Sequence, residues 1–278
     1  MIEYIYLNFI ERSPVVLWGA FFIVGVTLER ILPAAVSRKN SESAYVNFSH
    51  SLIYLAIIFL LNLQFISAIN KTIDERHIAP LLSLEFFVDH SIASFIIVTV
   101  LSALLLDFVL YWWHRAEHAI PFLWDIHAVH HSDEELNAFS SAREIWLETF
   151  VRTFFATLIM KLGLGVSNEA VVVAVSLFAG INFVNHCNIR VNAGPLYRFM
   201  ATPQFERIHH SIEDRHQNRN FSGIFSIWDS VFGTLYLPEK DEYPETGVKG
   251  AHIYSVADLY LYPMKKWRER ILSSYLAT

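Results

Sequence analysis

The sequence has a single cysteine, Cys187, among its 278 residues. One cysteine forms no intramolecular disulfide, and it does not supply the several thiolates that a cysteine-based zinc or iron–sulfur site requires. The sequence also lacks the G-x-G-x-x-G pattern that begins a dinucleotide-binding helix. We therefore interpret Cys187 as a packed small side chain.

Charged residues are scarce as well. They make up 17% of the chain, hydrophobic residues make up 54%, and the formal net charge is −6. This balance argues against nucleic-acid binding, because binding a phosphate backbone depends on a surplus of Lys and Arg. The N-terminal stretch, residues 1–13, has neither the basic start nor the small-residue cleavage site of a secretory signal peptide, so none is expected.

Long apolar segments take the place of the missing charges. Residues 14–33, 48–69 and 91–113 are each long enough to cross about 30 Å of hydrocarbon as a helix. Two shorter segments, 145–164 and 170–184, are predicted to form a helical hairpin. The alternative is a large soluble helical core, but residues 51–69 have almost none of the polar face that soluble helices show. The sequence therefore predicts an all-α integral membrane protein.

The loop charges predict how this protein is oriented. Arg38 and Lys39 follow the first apolar segment, and the positive-inside rule places them in the cytoplasm. The third segment then ends on the cytoplasmic side, near the interfacial pair Trp112 and Trp113, and the hairpin leaves from and returns to that side. We therefore expect a multi-pass protein whose transmembrane helices carry a helical cap on the cytosolic side.

Histidines are concentrated in the part of the chain assigned to this cap. Nine of the thirteen form helix-spaced clusters: His114 with His118, His127 with His130 and His131, a lone His186, His209 with His210, and His216. A buried imidazole that binds nothing needs its own polar partner, so clustering alone adds no stability. Converging neutral imidazoles are the commonest kind of protein metal site. The other four, His50, His77, His90 and His252, lack such neighbours, and we interpret them as ordinary.

The number of clustered histidines predicts two metal ions, because one ion takes about four to six protein ligands. At a membrane, the best use of such a site is the binding and reduction of O2 by iron. Asp107 lies about two helical turns before His114 on nearly the same stripe. We expect its carboxylate to orient a ligand imidazole, the alternative being a bond to a hydroxyl or amide of a neighbouring helix.

The motifs also have a recognisable order. They are His114-Arg-Ala-Glu-His118, His127-Ala-Val-His130-His131, Asn185-His186, Arg207-Ile-His209-His210, Asn220-Phe and Trp228-Asp-Ser-Val-Phe-Gly-Thr234. This set resembles the fatty acid hydroxylase / sterol desaturase superfamily over roughly residues 91–236. The resemblance implies an integral membrane, histidine-rich di-iron oxygenase that uses O2 and external electrons to hydroxylate or desaturate a lipid.

Carried over position by position, the resemblance implies a set of metal ligands. They are His114, His118, His127, His130, His131, His186, His209 and His210, with His216 as a further candidate. The sequence departs from the family at Glu206, where the last cluster usually begins with histidine. Glu206 is either a carboxylate ligand or an acceptor that orients an imidazole. We favour the acceptor, because His209 and His210 lie one turn away.

The resemblance also implies a domain organisation and a set of partners. Residues 1–90 are predicted to hold the N-terminal transmembrane helices and a loop, residues 91–236 the catalytic domain, and residues 237–278 a cytosolic tail. The implied cofactor is two iron ions with O2 as co-substrate. The implied partners are a membrane lipid and an external electron donor, a ferredoxin or cytochrome b5-like carrier with its reductase. Which lipid is used, and whether it is hydroxylated or desaturated, stays open.

Two other functions fit parts of the same pattern. The residues His114-x-x-Glu117-His118 form the inverted zinc-peptidase motif, in which Glu117 would be the general base. That motif leaves at least six clustered histidines unexplained. A non-enzymatic protein could instead hold a haem between two histidines, or store metal. Pairs of adjacent histidines suit a dinuclear site better.

Overall fold

The computed structural model describes residues 2–34, 42–61, 64–65, 67–81, 92–166, 168–251 and 253–276. Within these ranges the chain forms α-helices and isolated β-bridges, so the all-α prediction is confirmed. The helices are α1 (Ile2–Ile31), α2 (Glu42–Leu61), α3 (Ser67–Glu75), α4 (Ile92–Ala119), α5 (Pro121–His131), α6 (Trp146–Leu158), α7 (Asn168–His186), α8 (Pro203–His209), α9 (Ile227–Phe232) and α10 (Val256–Leu276).

Helix α4 contains the longest apolar stretch. Among the described residues, Ile96–Ala119 is the one helical segment long and apolar enough to cross a membrane. Shorter apolar helices span Ser43–Ile58 and Val171–His186. Within the predicted crossing at residues 48–69, the structure describes the end of α2 at Leu61, a helical pair at 64–65 and the start of α3 at Ser67, and residues 62–63 and 66 lie outside the described residues. Arg38 and Lys39, on which the predicted orientation depends, lie outside the described residues.

Helix α7 packs between α1 and α4 at the centre of the fold. Its contact with α1 depends on Gly180, because a Cβ built there would lie 2.1 Å from a ring carbon of Phe21. Gly25 on α1 makes the reciprocal contact, because a Cβ built there would lie 2.9 Å from a ring carbon of Phe183 on α7. These two glycines allow the backbones to approach closely, as small residues do between apolar helices. The close fit fixes α7, and with it the position of His186 at its last turn.

A sharp break separates α4 from α5. Pro121 occupies the first turn of α5, where a missing N–H removes no helical hydrogen bond but prevents α4 from continuing. The chain therefore turns after Ala119, and α5 packs back against α4. This turn brings the histidines of α5 onto those of α4.

The remaining helices close the site from two sides. The two segments of the predicted hairpin form α6, prolonged by a π-helical turn at Ile159–Gly163, and α7, and both helices pack on α4. Residues 237–276 pack back on the histidine-bearing helices: Gln204 on α8 donates to the carbonyls of Glu239 and Glu242, and α10 packs on α5 and α2.

Candidate metal centre

Five histidines from three helices converge on one point. They are His114 and His118 of α4, His127 and His131 of α5, and His209 at the end of α8, and their ligand nitrogens all lie within 4.8 Å of one another. The i, i+4 spacing on α4 and on α5 puts each pair on one helix face, and the turn at Pro121 makes the two faces meet. The contribution of α8 arises from the tertiary fold.

A second group lies directly beside the first. It contains His130 of α5, His186 at the end of α7, Glu206 of α8 and His210, again with their ligand atoms within 4.8 Å of one another. All four side chains are buried. Adjacent residues supply both groups, since His130 and His131 point to different groups, as do His209 and His210. The sequence predicts two metal ions, and the structure contains two distinct sets of donor atoms that could hold them.

The hydrogen bonds around the first group show that nitrogen lone pairs face one another. The Nδ1–H of His114 donates to the Phe221 carbonyl, and that of His209 donates to the Arg219 carbonyl, both at 2.8 Å. A carbonyl only accepts, so in the neutral rings Nε2 carries the lone pair. These Nε2 atoms lie 3.0 Å apart. Two lone pairs at this distance repel, and a cation between them would remove the repulsion.

Protonation of the histidines does not supply this positive charge. Burial lowers the pKa of His209 to about 3. Burial, together with the neighbouring imidazoles, holds the pKa of His127, of His131 and of His210 well below the ordinary value. These rings are neutral near pH 7, which is the form that binds a metal ion. The donor set therefore fits a metal.

In the second group, too, ring nitrogens lie close to one another, and one carboxylate lies among them. The Nδ1–H of His186 donates to the Asn182 carbonyl at 2.8 Å, and its Nε2 lies 3.0 Å from the Nε2 of His130. Within the described part of the chain, neither ring nitrogen of His210 has a hydrogen-bond partner. The Glu206 Oε1 lies 3.2 Å from the His186 Nε2 and 3.3 Å from the His210 Nε2. Glu206 thus sits among the lone pairs.

Two further acids lie behind His127. The Nδ1–H of His127 donates to the Glu148 Oε1 at 2.7 Å, and the Glu117 Oε2 lies 3.7 Å from the same nitrogen. A carboxylate on Nδ1 fixes the tautomer and leaves Nε2 free to bind a metal. Sequence reasoning did not assign this role to Glu148. The pairing joins α5 to α6, and no local spacing indicates it.

The helical stripe predicted that Asp107 contacts an imidazole. In the structure its partners are backbone N–H groups instead. Its carboxylate accepts the backbone N–H groups of Gly223, Ile224 and Phe225 at 3.0, 3.1 and 2.7 Å. The loop that it holds includes Phe221, whose carbonyl accepts from His114. Asp107 therefore holds the loop whose Phe221 carbonyl accepts from the candidate ligand His114.

We expect Asp107→Asn to weaken this loop. An amide nitrogen would face N–H donors, and leaving a buried donor unpaired costs about 1–3 kcal/mol of stability. The variant should melt at a lower temperature, retain most of its metal, and lose activity roughly 10- to 100-fold, the scale for changes behind a ligand. Ser102→Ala is the matched control on the same helix, because the buried Ser102 hydroxyl has no hydrogen-bond partner among the described residues. Equal melting of both variants would contradict this role.

The structure does not bring His216 to either group. Its Nδ1 bonds the Ser211 hydroxyl at 2.8 Å and its Nε2 lies 3.1 Å from the Glu242 Oε1. His216 lies in the short turn Asp214–His216, beyond the end of α8, and sequence spacing did not reveal its separate contacts.

The histidines interpreted as ordinary lie apart from both groups wherever the structure describes them. The Nε2–H of His50 donates to the Glu144 carbonyl, and His77 lies in a turn with positive φ. His90 and His252 lie outside the described residues. Cys187 is buried in a hydrophobic cluster with Phe183 and Ile189, as predicted for a packed small side chain.

A small cavity of about 50 Å³ opens onto both groups. His114 and His127 of the first group line it together with His130, His186 and Glu206 of the second group. Apolar side chains from three elements form another part of its wall: Leu110, Phe178 and Phe221. Apolar wall and both groups of candidate metal ligands therefore meet at this cavity, as in sites where an apolar substrate lies beside a few polar groups.

Comparison with known proteins agrees with the geometry. Residues 99–234 match the profile of the family described as fatty acid hydroxylase. Human alkylglycerol monooxygenase is 31% identical over 129 residues, which are 46% of this chain and 28% of that protein. The ornithine lipid hydroxylase OlsE of Rhizobium tropici is 30% identical over 152 residues, 54% of this chain and 45% of that protein.

A third relative is the sphingolipid C4-hydroxylase of Schizosaccharomyces pombe, 30% identical over 137 residues, 48% of this chain and 46% of that protein. The chain therefore matches less than half the length of each of these three relatives. No solved structure matches. The matched segment runs from α4 through Thr234 and holds both ligand groups. By this match and by their ordered histidine motifs, residues 99–234 are similar to the fatty acid hydroxylase superfamily.

Proposed function

We propose that this chain is an O2-dependent oxidoreductase that hydroxylates or desaturates a C–H bond of a membrane lipid at a two-iron centre. The observation that carries the proposal is the pair of adjoining donor groups, which together hold eight histidines and Glu206 around one cavity. Relatives of this chain are named as lipid hydroxylases and monooxygenases. The lipid that this chain uses stays open.

The donor set suits iron. Imidazole and carboxylate are ligands that iron accepts, and an Fe site that binds O2 keeps a coordination position open. Bound iron would supply the binding and activation of O2. The residues do the rest: the Phe221 and Arg219 carbonyls and Glu148 hold the imidazoles in one tautomer, and the cavity presents a carbon to the metals. With no dinucleotide-binding or haem motif in the sequence, electrons would come from a ferredoxin or cytochrome b5-like carrier with its reductase.

Apolar surface supports a membrane location. Large apolar side chains on α1, α2, α4, α6 and α7 are exposed, among them Ile23, Leu52, Val100, Phe155 and Val172. A soluble monomer does not leave so much apolar surface in contact with water. We propose that lipid covers it, that α4 and its neighbours make a multi-pass anchor, and that the ligand-bearing end faces the cytoplasm. A lipid would then reach the cavity without leaving the bilayer.

The same geometry argues against the two alternative functions. As the base of a zinc peptidase, Glu117 would have to face the point where the Nε2 atoms converge. Instead it accepts from the indole of Trp113 and lies on the Nδ1 side of His127. A haem would need flat space between two imidazoles, whereas five ring nitrogens lie within 4.8 Å of one another.

The proposal predicts a lipid product. Cells that express the chain should contain lipids that have gained one oxygen atom or lost two hydrogens, as measured by mass spectrometry against cells without the gene. Cells that express His130→Ala at the same level are the matched control, and their lipids should resemble those of cells without the gene. Identical lipid profiles in all three, with both metals bound to the wild-type protein, would refute lipid oxidation.

A further inference from the structure

Helix α10, Val256–Leu276, presents two different faces. Its inner face is anchored: Leu259 is 0% exposed, and Arg270 makes two hydrogen bonds to the buried carboxylate of Asp125 on α5, at 2.5 and 2.9 Å. The indole N–H of Trp267 donates to the Phe122 carbonyl at 3.1 Å. These contacts fix how the helix is rotated about its axis. The opposite face must then point away from the protein.

The outward face is apolar. Its side chains are exposed although they are large and hydrophobic: Leu261, Met264, Ile271, Leu272 and Tyr275, with Met264 at 61%. At 3.6 residues per turn these positions fall in one stripe opposite Leu259. Lys265 and Arg268 are exposed within or beside the same stripe. Water is a poor solvent for such a face, so the arrangement indicates a surface that something covers.

The charge of α10 is opposite to that of the chain. The helix has four basic residues, Lys265, Lys266, Arg268 and Arg270, and two acidic residues, Asp258 and Glu269, which gives +2, whereas the whole chain carries −6. A helix that combines an apolar stripe with excess Lys and Arg is typical of helices that lie on anionic lipid. Long basic side chains can extend to the phosphates while their methylene stems stay among apolar groups.

Helix α10 lies beside the end of the apolar span of α4. The apolar span ends at Ala119, and the next residues, Ile120 and Phe122, are exposed. Trp267 binds the Phe122 carbonyl, and the two rings lie 6.5 Å apart, so α10 is held beside the end of the span. Trp and Tyr side chains are enriched at this depth of a bilayer. The exposed apolar side chains after Ala119 and those of α10 therefore lie close to one another.

We propose that α10 lies in the headgroup layer of the membrane, with Leu261, Met264 and Leu272 among the acyl chains and with Lys265 and Arg268 at the phosphates of anionic phospholipid. This rests on the membrane location in the proposed function, and it does not depend on the lipid-oxidation chemistry. Residues 237–278 are then, in part, a membrane-binding element, beyond the role of tail that the sequence predicted. The helix would hold α5, which carries three ligands, at a fixed depth.

Nitroxide labels can measure this depth in the full-length protein. The single native cysteine, Cys187, is buried, so cysteines introduced at Met264→Cys and Leu272→Cys can be labelled selectively. Asp241→Cys is the matched exposed control on the polar surface, and Val100→Cys on α4 reports membrane insertion itself. The protein is reconstituted in vesicles of phosphatidylcholine with phosphatidylglycerol. Relaxation by O2, which concentrates in lipid, is compared with relaxation by a water-soluble nickel chelate.

The labels at positions 264 and 272 should relax several-fold more with O2 than with the chelate, as at position 100, and position 241 should show the opposite. Lys265→Glu combined with Arg268→Glu should shift position 264 toward the chelate in these vesicles. If the chelate reaches the labels at positions 264 and 272 while the label at position 100 is protected, the α10 proposal is overturned and the membrane location stands. Chelate access at 100 as well would overturn the membrane location. Protection of 264 that requires an added acidic ferredoxin would assign the face to a protein and overturn the proposal.

Discussion

His130→Ala and His131→Ala are each expected to leave the protein with about one bound metal ion where the wild type holds two. The two residues are neighbours in sequence, but His131 belongs to the five-histidine group and His130 to the group with Glu206. Each therefore removes a ligand from a different ion. The four-ligand group has no spare donor, so we expect the loss of metal to be more complete for His130→Ala.

Metal content is measured on protein purified without oxygen from iron-replete cells, by elemental analysis against protein concentration. O2-dependent turnover should be lost in both variants, because reduction of O2 at a paired centre needs both ions. His216→Ala is the matched control: it removes a buried histidine that contacts Glu242 and lies outside both groups. It should keep both ions. Full metal content in all three variants would refute the dinuclear assignment.

The sequence predicted those features of the site that follow from the local geometry of a helix. His114 and His118 share a helix face, and so do His127 and His131, because residues four apart lie one above the other on a helix. The division into two groups was not visible. Adjacent residues on a helix point in different directions, so His130 and His131 reach different groups only once α7 and α8 are in place.

What the sequence did not predict depends on contacts between distant segments. Glu148 reaches His127 across 21 residues, and Asp107 reaches the 223–225 loop across more than a hundred. Asp229 likewise accepts the N–H groups of Phe221 and Ser222 and so shapes the loop that holds His114. Hydrophobic periodicity predicts a helix but not its partner. The long apolar segments were therefore predicted as helices, whereas the packing of α7 between α1 and α4 was not predicted.

For Glu206 we propose the role that the sequence analysis did not favour, that of a metal ligand. The sequence favoured an acceptor for an imidazole N–H. In the structure, the Nδ1–H of His186 already donates to a carbonyl, so the neutral ring has no second N–H to offer Glu206 across the 3.2 Å to its Nε2. The carboxylate oxygen instead lies among converging ligand atoms. We therefore propose that Glu206 binds the second metal ion, as the family's histidine would.

Three substitutions separate the two roles. Glu206→Ala should leave about one metal ion, because the second group would keep only three imidazoles. Glu206→Gln should weaken binding, since a neutral amide oxygen is a poorer ligand than a carboxylate, and Glu206→His should keep both ions, because imidazole also suits iron. An acceptor role predicts the reverse order, with Gln better than His, because an amide oxygen still accepts a hydrogen bond.

The measurement is bound iron per chain, with the affinity of the second ion taken from titration of apo-protein. Glu242→Gln is the matched control, because Glu242 is also a carboxylate beside a histidine, His216, but lies outside both groups. It should bind two ions with unchanged affinity. Because the second group offers only four donors, removing one should have a larger effect here than removing one of five. Equal iron in the Ala, Gln and His variants would show that Glu206 neither binds a metal nor orients a ligand.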